Sequence, residues 1–104
     1  MDERLKDKVA IVMGAGTRPA ETGADIAPPH GNGKATAVLF ARQSATVACV
    51  DLDGDAAEAT RREIEAEGGT AMAIAADVVD AGQVQAAVDA VLAAHGRIDV
   101  LHNN

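Results

Sequence analysis

Val9-Ala10-Ile11-Val12-Met13-Gly14 decides how the rest of the chain is read. Five apolar residues run without alternation and stop on a glycine, the pattern of a short strand buried on both faces of a parallel sheet. Parallel strands need a crossover between them, so the text after Gly14 should hold a helix and then a second strand. Thr17 to His30 contains Pro19, Pro28, Pro29, Gly23 and few large apolar residues, and it reads as a loop. From Gly33 the composition turns helical. In Lys34-Ala35-Thr36-Ala37-Val38-Leu39-Phe40-Ala41-Arg42 the residues Ala35, Val38, Leu39 and Arg42 share one face. Ala45 to Val50 then forms a second strand, stopped by Asp51-Leu52-Asp53-Gly54.

The alternation continues to the end. Asp55 and Glu58 are spaced as a capping box, Glu58 and Arg62 can pair one turn apart, and Gly68-Gly69 ends this second helix. Thr70 to Ala76 is a third strand, closed by Asp77-Val78. A second capping box, Asp80 with Gln83, opens a third helix with Val84, Val88, Val91, Leu92 and His95 on one stripe and Gly96 at its end. Ile98 to His102 begins a fourth strand, followed by Asn103-Asn104. The order βαβαβαβ predicts an α/β fold with a parallel sheet, right-handed crossovers, helices on both faces and strand order 3-2-1-4. In that order the fourth strand is an open apolar edge.

At 104 residues there is room for one domain. Twenty-four alanines and a single aromatic, Phe40, predict a thin core. The net charge of −7 argues against nucleic acid or an anionic membrane as a partner. No leader-like apolar segment follows Met1, and no stretch is long enough to cross a membrane, so the chain reads as cytoplasmic. Cys49 sits inside an apolar strand and reads as buried filler. His30, His95 and His102 lack metal-ligand spacing, and Glu63, Glu65 and Glu67 read as the wet side and end of the second helix.

A diphosphate needs backbone N–H donors at a helix N-terminus and an approach free of side chains. Gly14, Gly16, Gly31 and Gly33 stand where the first strand turns into the first helix. Asp51 ends the second strand twenty residues after Gly31, near the spacing at which a carboxylate accepts from an adenosine ribose. A plain structural reading of Asp51 as a strand end or helix cap stands beside it, since Asp53 and Asp55 are equally suited to capping.

These stretches together resemble the opening of a short-chain dehydrogenase/reductase: Leu5 to Val12, Gly31-Asn32-Gly33-Lys34-Ala35-Thr36-Ala37, Val50-Asp51, Ala76-Asp77-Val78, and Gly96 through Asn103-Asn104. The resemblance implies a partial Rossmann domain in which Gly14, Gly31 and Gly33 match the family's T-G-x-x-x-G-x-G glycines and Asn32 stands between the last two. It implies that Asp77 and Val78 touch adenine, and that Asn103-Asn104 begins the N-N-A-G segment lining the cofactor cleft. Two departures stand out. Met13 replaces the usual threonine, and Gly14 to Gly31 spans seventeen positions where the signature spans four, an insertion of thirteen residues. The expectation is that Gly31-Asn32-Gly33 still caps the first helix, with residues 17–30 looped outward.

The acid at Asp51 would repel a 2′-phosphate, so the expected cofactor is NAD in preference to NADP, with Arg18 in the insertion as a competing influence. The family's catalysis uses serine, tyrosine and a lysine four residues on. This sequence has no tyrosine, a single serine at Ser44, and lysines only at Lys6, Lys8 and Lys34. The expectation is therefore an inactive N-terminal part of an oxidoreductase of alcohols or carbonyls, its catalytic half missing. The resemblance leaves a homo-oligomer open. An S-adenosylmethionine-dependent methyltransferase fragment and a non-catalytic nucleotide-binding or interaction module are the alternative readings.

Overall fold

A computed structural model describes residues 3–16 and 32–103. The expected loop over 17–30, Gly31 and Asn104 lie outside the described residues. The elements are β1 (Val9–Met13), α1 (Asn32–Arg42), β2 (Thr46–Asp51), α2 (Gly54–Ala66), β3 (Thr70–Ala75), α3 (Ala81–His95) and β4 (Val100–Asn103). All strands pair in parallel, in the order β3-β2-β1-β4.

Side-chain alternation along the central strands sorts the core into two layers. Val12 of β1 and Val47 and Cys49 of β2 meet Ala37, Val38 and Ala41 of α1 and Ala57 and Ile64 of α2. Val9, Ile11 and Met13, with Ala48 and Val50, point the other way, toward Ala87 and Val91 of α3. Helices thus cover both faces, and every β1 residue is buried, as its unbroken apolar run predicts. Much of the helical side of this core is alanine, and one buried methyl contributes only about 0.8 kcal/mol against roughly 1.5–3 for a whole valine or isoleucine. Close approach of helix to sheet compensates in dispersion contacts.

Three local expectations need correction. The buried face of α1 is Gly33, Ala37, Val38 and Ala41, while Ala35, Leu39 and Arg42 are exposed. Both rows satisfy helical spacing, and the small row wins because the helix lies close to the sheet. The cap of α2 is Asp53, whose Oδ1 accepts from the amides of Asp55 and Ala56 at 3.0 and 3.2 Å. Glu58 instead pairs with Arg61 and, at 3.7 Å, with Arg62. On α3 the stripe is Val84, Ala87, Val88 and Val91, whereas Leu92 and His95 are exposed. Its cap is Asp80, as expected, accepting from Gly82 and Gln83 amides at 2.9 and 3.1 Å. Gly96 ends α3 at φ 75°.

The opposite end of the sheet from the glycine turn is tied by Asp99. Its amide donates to Val9 O at 2.8 Å, and its Oδ2 accepts from Val9 N at 2.9 Å. Arg97 donates to both carboxylate oxygens, at 2.8 and 2.7 Å. Those hydrogen bonds, from Arg97 first and then the Val9 amide, hold the Asp99 carboxyl below the usual range. Burial acts oppositely on Cys49, pushing its thiol up to about 12, so it is protonated filler and no nucleophile. Because the Asp99 shift is downward, its contribution to stability is complete above the unfolded-state carboxylate pKa and disappears as pH falls through the lower folded value. Asp99→Asn is expected to lower the thermal midpoint at neutral pH and to flatten its decline in acid. Scanning calorimetry across that range checks this, and parallel curves for the two proteins would count against it.

Candidate functional site

The carboxyl ends of the strands gather along one rim, with Met13 opposite both Val50 and Asn103, and Asp51 opposite Ala75. Gly14 turns the chain away from β1 at φ 77°. The amides of Gly14 and Ala15 both donate to Val50 O, at 2.7 and 3.0 Å, which staples the turn to β2. Helix α1 begins against this turn. A Cβ on Gly33 would stand 1.9 Å from Gly14 O and 2.6 Å from its carbonyl carbon, so only glycine permits the approach. The first-turn amides of α1, and the positive end of its dipole, therefore open at the tip of β1, where an anion is best received. No acidic residue occupies that first turn to compete.

Asp51 lies at the same rim and is 1 % exposed. Its Oδ2 accepts from Gly16 N and its Oδ1 from Asp53 N, both at 2.9 Å. Gly16 is wedged tightly: a Cβ there would stand 2.4 Å from that of Ala56 and 3.0 Å from Asp51 Oδ2. Thr60, buried on α2, donates from Oγ1 to Ala15 O at 3.0 Å. Just beyond β2 and β3, Leu52 and Val78 are 62 % and 43 % exposed, apolar surface along the same rim. Asp77 shapes the turn before α3, accepting from Val79 N at 3.0 Å while its own amide donates to Gln83 Oε1 at 2.8 Å.

Of the residues singled out in the sequence, the structure brings Gly14, Gly33 and Asp51 together, and Asp77 and Val78 follow the adjacent strand at the same rim. Asn103 ends β4 beside Met13 and is exposed. Asn32 opens α1. Gly31 and Asn104 lie outside the described residues. Gly16 faces Asp51 and α2 instead of standing bare toward a phosphate. Thr60 and Leu52 belong to no motif. Thr60 was nevertheless detectable as a polar residue in line with Ala57 and Ile64 on the buried side of α2, where a hydroxyl needs a partner. Among the described residues no group of three or more His, Cys, Asp or Glu could hold a metal ion. No helix there is long and apolar enough to cross a membrane.

A parallel sheet whose strand order reverses between β1 and β4, with a glycine turn and a helix N-terminus at the reversal, is a Rossmann-type nucleotide-binding fold. The comparisons with known proteins narrow the class. The short chain dehydrogenase family model matches residues 22–104. The chain is 41% identical over 103 residues to D-threitol dehydrogenase of Mycolicibacterium smegmatis, covering 99% of this chain and 35% of that protein. It is 34% identical over 101 residues to a 3-oxoacyl-[acyl-carrier-protein] reductase of Thermotoga maritima, covering 97% and 36%. The crystal structure of hydroxysteroid dehydrogenase from Escherichia coli superposes with a TM-score of 0.83 at 34% identity, over 97% of this chain and 37% of that one. The chain belongs to the short chain dehydrogenase family of oxidoreductases and spans about a third of the length of these relatives. Membership displaces the methyltransferase reading.

Gly33→Ala is expected to destabilise the chain by about 1–3 kcal/mol, since the added methyl meets backbone that cannot rotate aside. Urea unfolding measures it. An unchanged midpoint would show that α1 does not rest on the β1 turn.

Proposed function

We propose that these residues form the NAD-binding part of an oxidoreductase that moves hydride between nicotinamide and a small alcohol or carbonyl substrate. The observation that carries this reading is the seating of Gly33 on Gly14, which puts a helix N-terminus at the tip of β1 beside the buried Asp51 carboxylate. Gly14, Gly31, Asn32 and Gly33 receive the diphosphate there. Leu52 and Val78 give adenine apolar contact, with Asp77 holding the turn that presents Val78. Asp51 takes the adenosine ribose, and Asn103 with Asn104 borders the way to the nicotinamide. That α1 begins against the β1 turn supports this reading for a chain with thirteen extra residues between Gly14 and Gly31.

Charge favours NAD over NADP. Two unit charges about 4 Å apart interact by ~4 kcal/mol at an effective dielectric of 20, well beyond the ~1.4 kcal/mol that separates affinities tenfold. A 2′-phosphate would meet Asp51 on those terms. Bound nicotinamide supplies the hydride donor or acceptor. The family's proton-transferring tyrosine has no counterpart in the 104 residues, so these alone turn over no alcohol. A cytoplasmic setting suits an NAD enzyme with one buried, unpaired cysteine.

Titration calorimetry of the chain with NAD, NADP and S-adenosylmethionine tests the reading. NAD is expected to bind at least about tenfold more tightly than NADP. No NADH should form from NAD and sugar alcohols. Preference for NADP or for S-adenosylmethionine would overturn the cofactor assignment, and alcohol-dependent NADH formation would overturn the inactivity.

A further inference from the structure

One peptide group in the turn after β1 is held at both ends. In the unit joining Ala15 to Gly16, the carbonyl accepts from Thr60 Oγ1 at 3.0 Å and the amide donates to Asp51 Oδ2 at 2.9 Å. These two groups point oppositely across a planar trans unit, so α2 grips one edge of it and β2 the other. Upstream, the amides of Gly14 and Ala15 both donate to Val50 O. The amides of residues 14–16 are thus turned into the protein, and the donors that open toward an anion at the tip of β1 belong to the first turn of α1.

Thr60 reaches those donors through a chain of contacts. Gly33 rests on the gripped segment, since a Cβ there would stand 1.9 Å from Gly14 O and 3.1 Å from Ala15 Cα. Displacing Ala15 would move the surface on which α1 begins, and rotating its carbonyl outward would set a negative peptide oxygen against an arriving phosphate. Thr60, 1 % exposed, keeps that oxygen under α2. We propose that Thr60 is a positioning residue for the diphosphate: its hydroxyl fixes the Ala15 carbonyl, so that α1 begins where its first amides face the phosphates, and it never meets the ligand. A threonine inside a helix ordinarily bonds the carbonyl four residues back, and Ala56 O does lie 3.2 Å from the Thr60 hydroxyl. That bond alone would satisfy the side chain. It would leave the carbonyl of Ala15, a fully buried residue, without this donor, and the shorter of the two contacts is the one to the turn.

This inference rests on the dinucleotide reading, and the test separates the two. Calorimetric titration of the 104-residue chain with ADP and with adenosine gives the ratio of their affinities, which isolates what the phosphates contribute. Thr60→Val, nearly the same shape without the hydroxyl, is expected to lower that ratio about 3–10-fold, the worth of one neutral hydrogen bond. Thr60→Ser, which keeps the hydroxyl, should hold the ratio within about twofold of the unsubstituted chain. In nuclear magnetic resonance spectra without ligand, the Gly33 amide should move in Thr60→Val and stay in place in Thr60→Ser. Lower thermal stability with an unchanged ratio would make Thr60 ordinary packing and overturn the proposal while the nucleotide site stands. Thr60→Ala is a second hydroxyl-free variant, and whichever of the two folds decides; if neither does, the hydroxyl serves folding and the positioning role is rejected. If the unsubstituted chain binds ADP no more tightly than adenosine, the diphosphate reading falls first and takes the proposal with it.

Discussion

Helix α1 can start where it does because two stretches of backbone, at Gly33 and Gly14, meet with no side chain between them. That contact sets the height of the helix over the sheet, and the height in turn demands small residues on its inner face, which Ala37 and Ala41 provide. It also sets direction. A helix begun at the tip of β1 must run back over the sheet toward the amino ends of the strands, as a right-handed crossover to a parallel β2 requires. The amide-rich end of α1 is left at the rim, among the carboxyl ends of the strands. The anion-receiving character of the site is thus a by-product of how the crossover is built.

Around that contact, residues 14–16 are held from three directions by groups of different chemistry. Val50 offers a carbonyl, Thr60 a hydroxyl and Asp51 a carboxylate. The family pattern expects a threonine at the end of β1, where this chain has Met13, which instead fills the layer under α3. Thr60 supplies a hydroxyl to the same turn from the other side of the sheet. What is lost from one strand end is provided by a helix packed over it.

Most of the fold could be read directly from residues. Unbroken apolar runs marked the inner strands, because burial on both faces leaves no polar alternation to confuse the reading, and Asp80 with Gln83 marked the start of α3. Less legible was which of two helical rows on α1 faces inward. Hydrophobicity favoured Leu39, but at close range the volume of the side chain outweighs its transfer free energy, and alanine is preferred. The cap of α2 was missed by two residues for a related reason, as Asp53 and Asp55 are chemically alike and only backbone geometry separates them. At the site, glycine and acid spacing pointed to Gly14, Gly33 and Asp51. Spacing could not show that Asp51 is already engaged, since its partner Gly16 is thirty-five residues away in sequence.

The strand order has a mechanical outcome. β1 is enclosed between β2 and β4 and between two helical layers, while β4, paired among the described residues with β1, alternates half-buried with exposed positions. At the point where the strand order reverses, Met13 and Asn103 therefore stand side by side in different surroundings. Met13 lies in the buried layer under α3, whereas Asn103 ends a strand fixed by its ladder to β1, by the Asp99 tie at its foot and by the edge-to-face contact of His102 with Phe40. Through Phe40, α1 reaches across to the strands on both sides of the reversal.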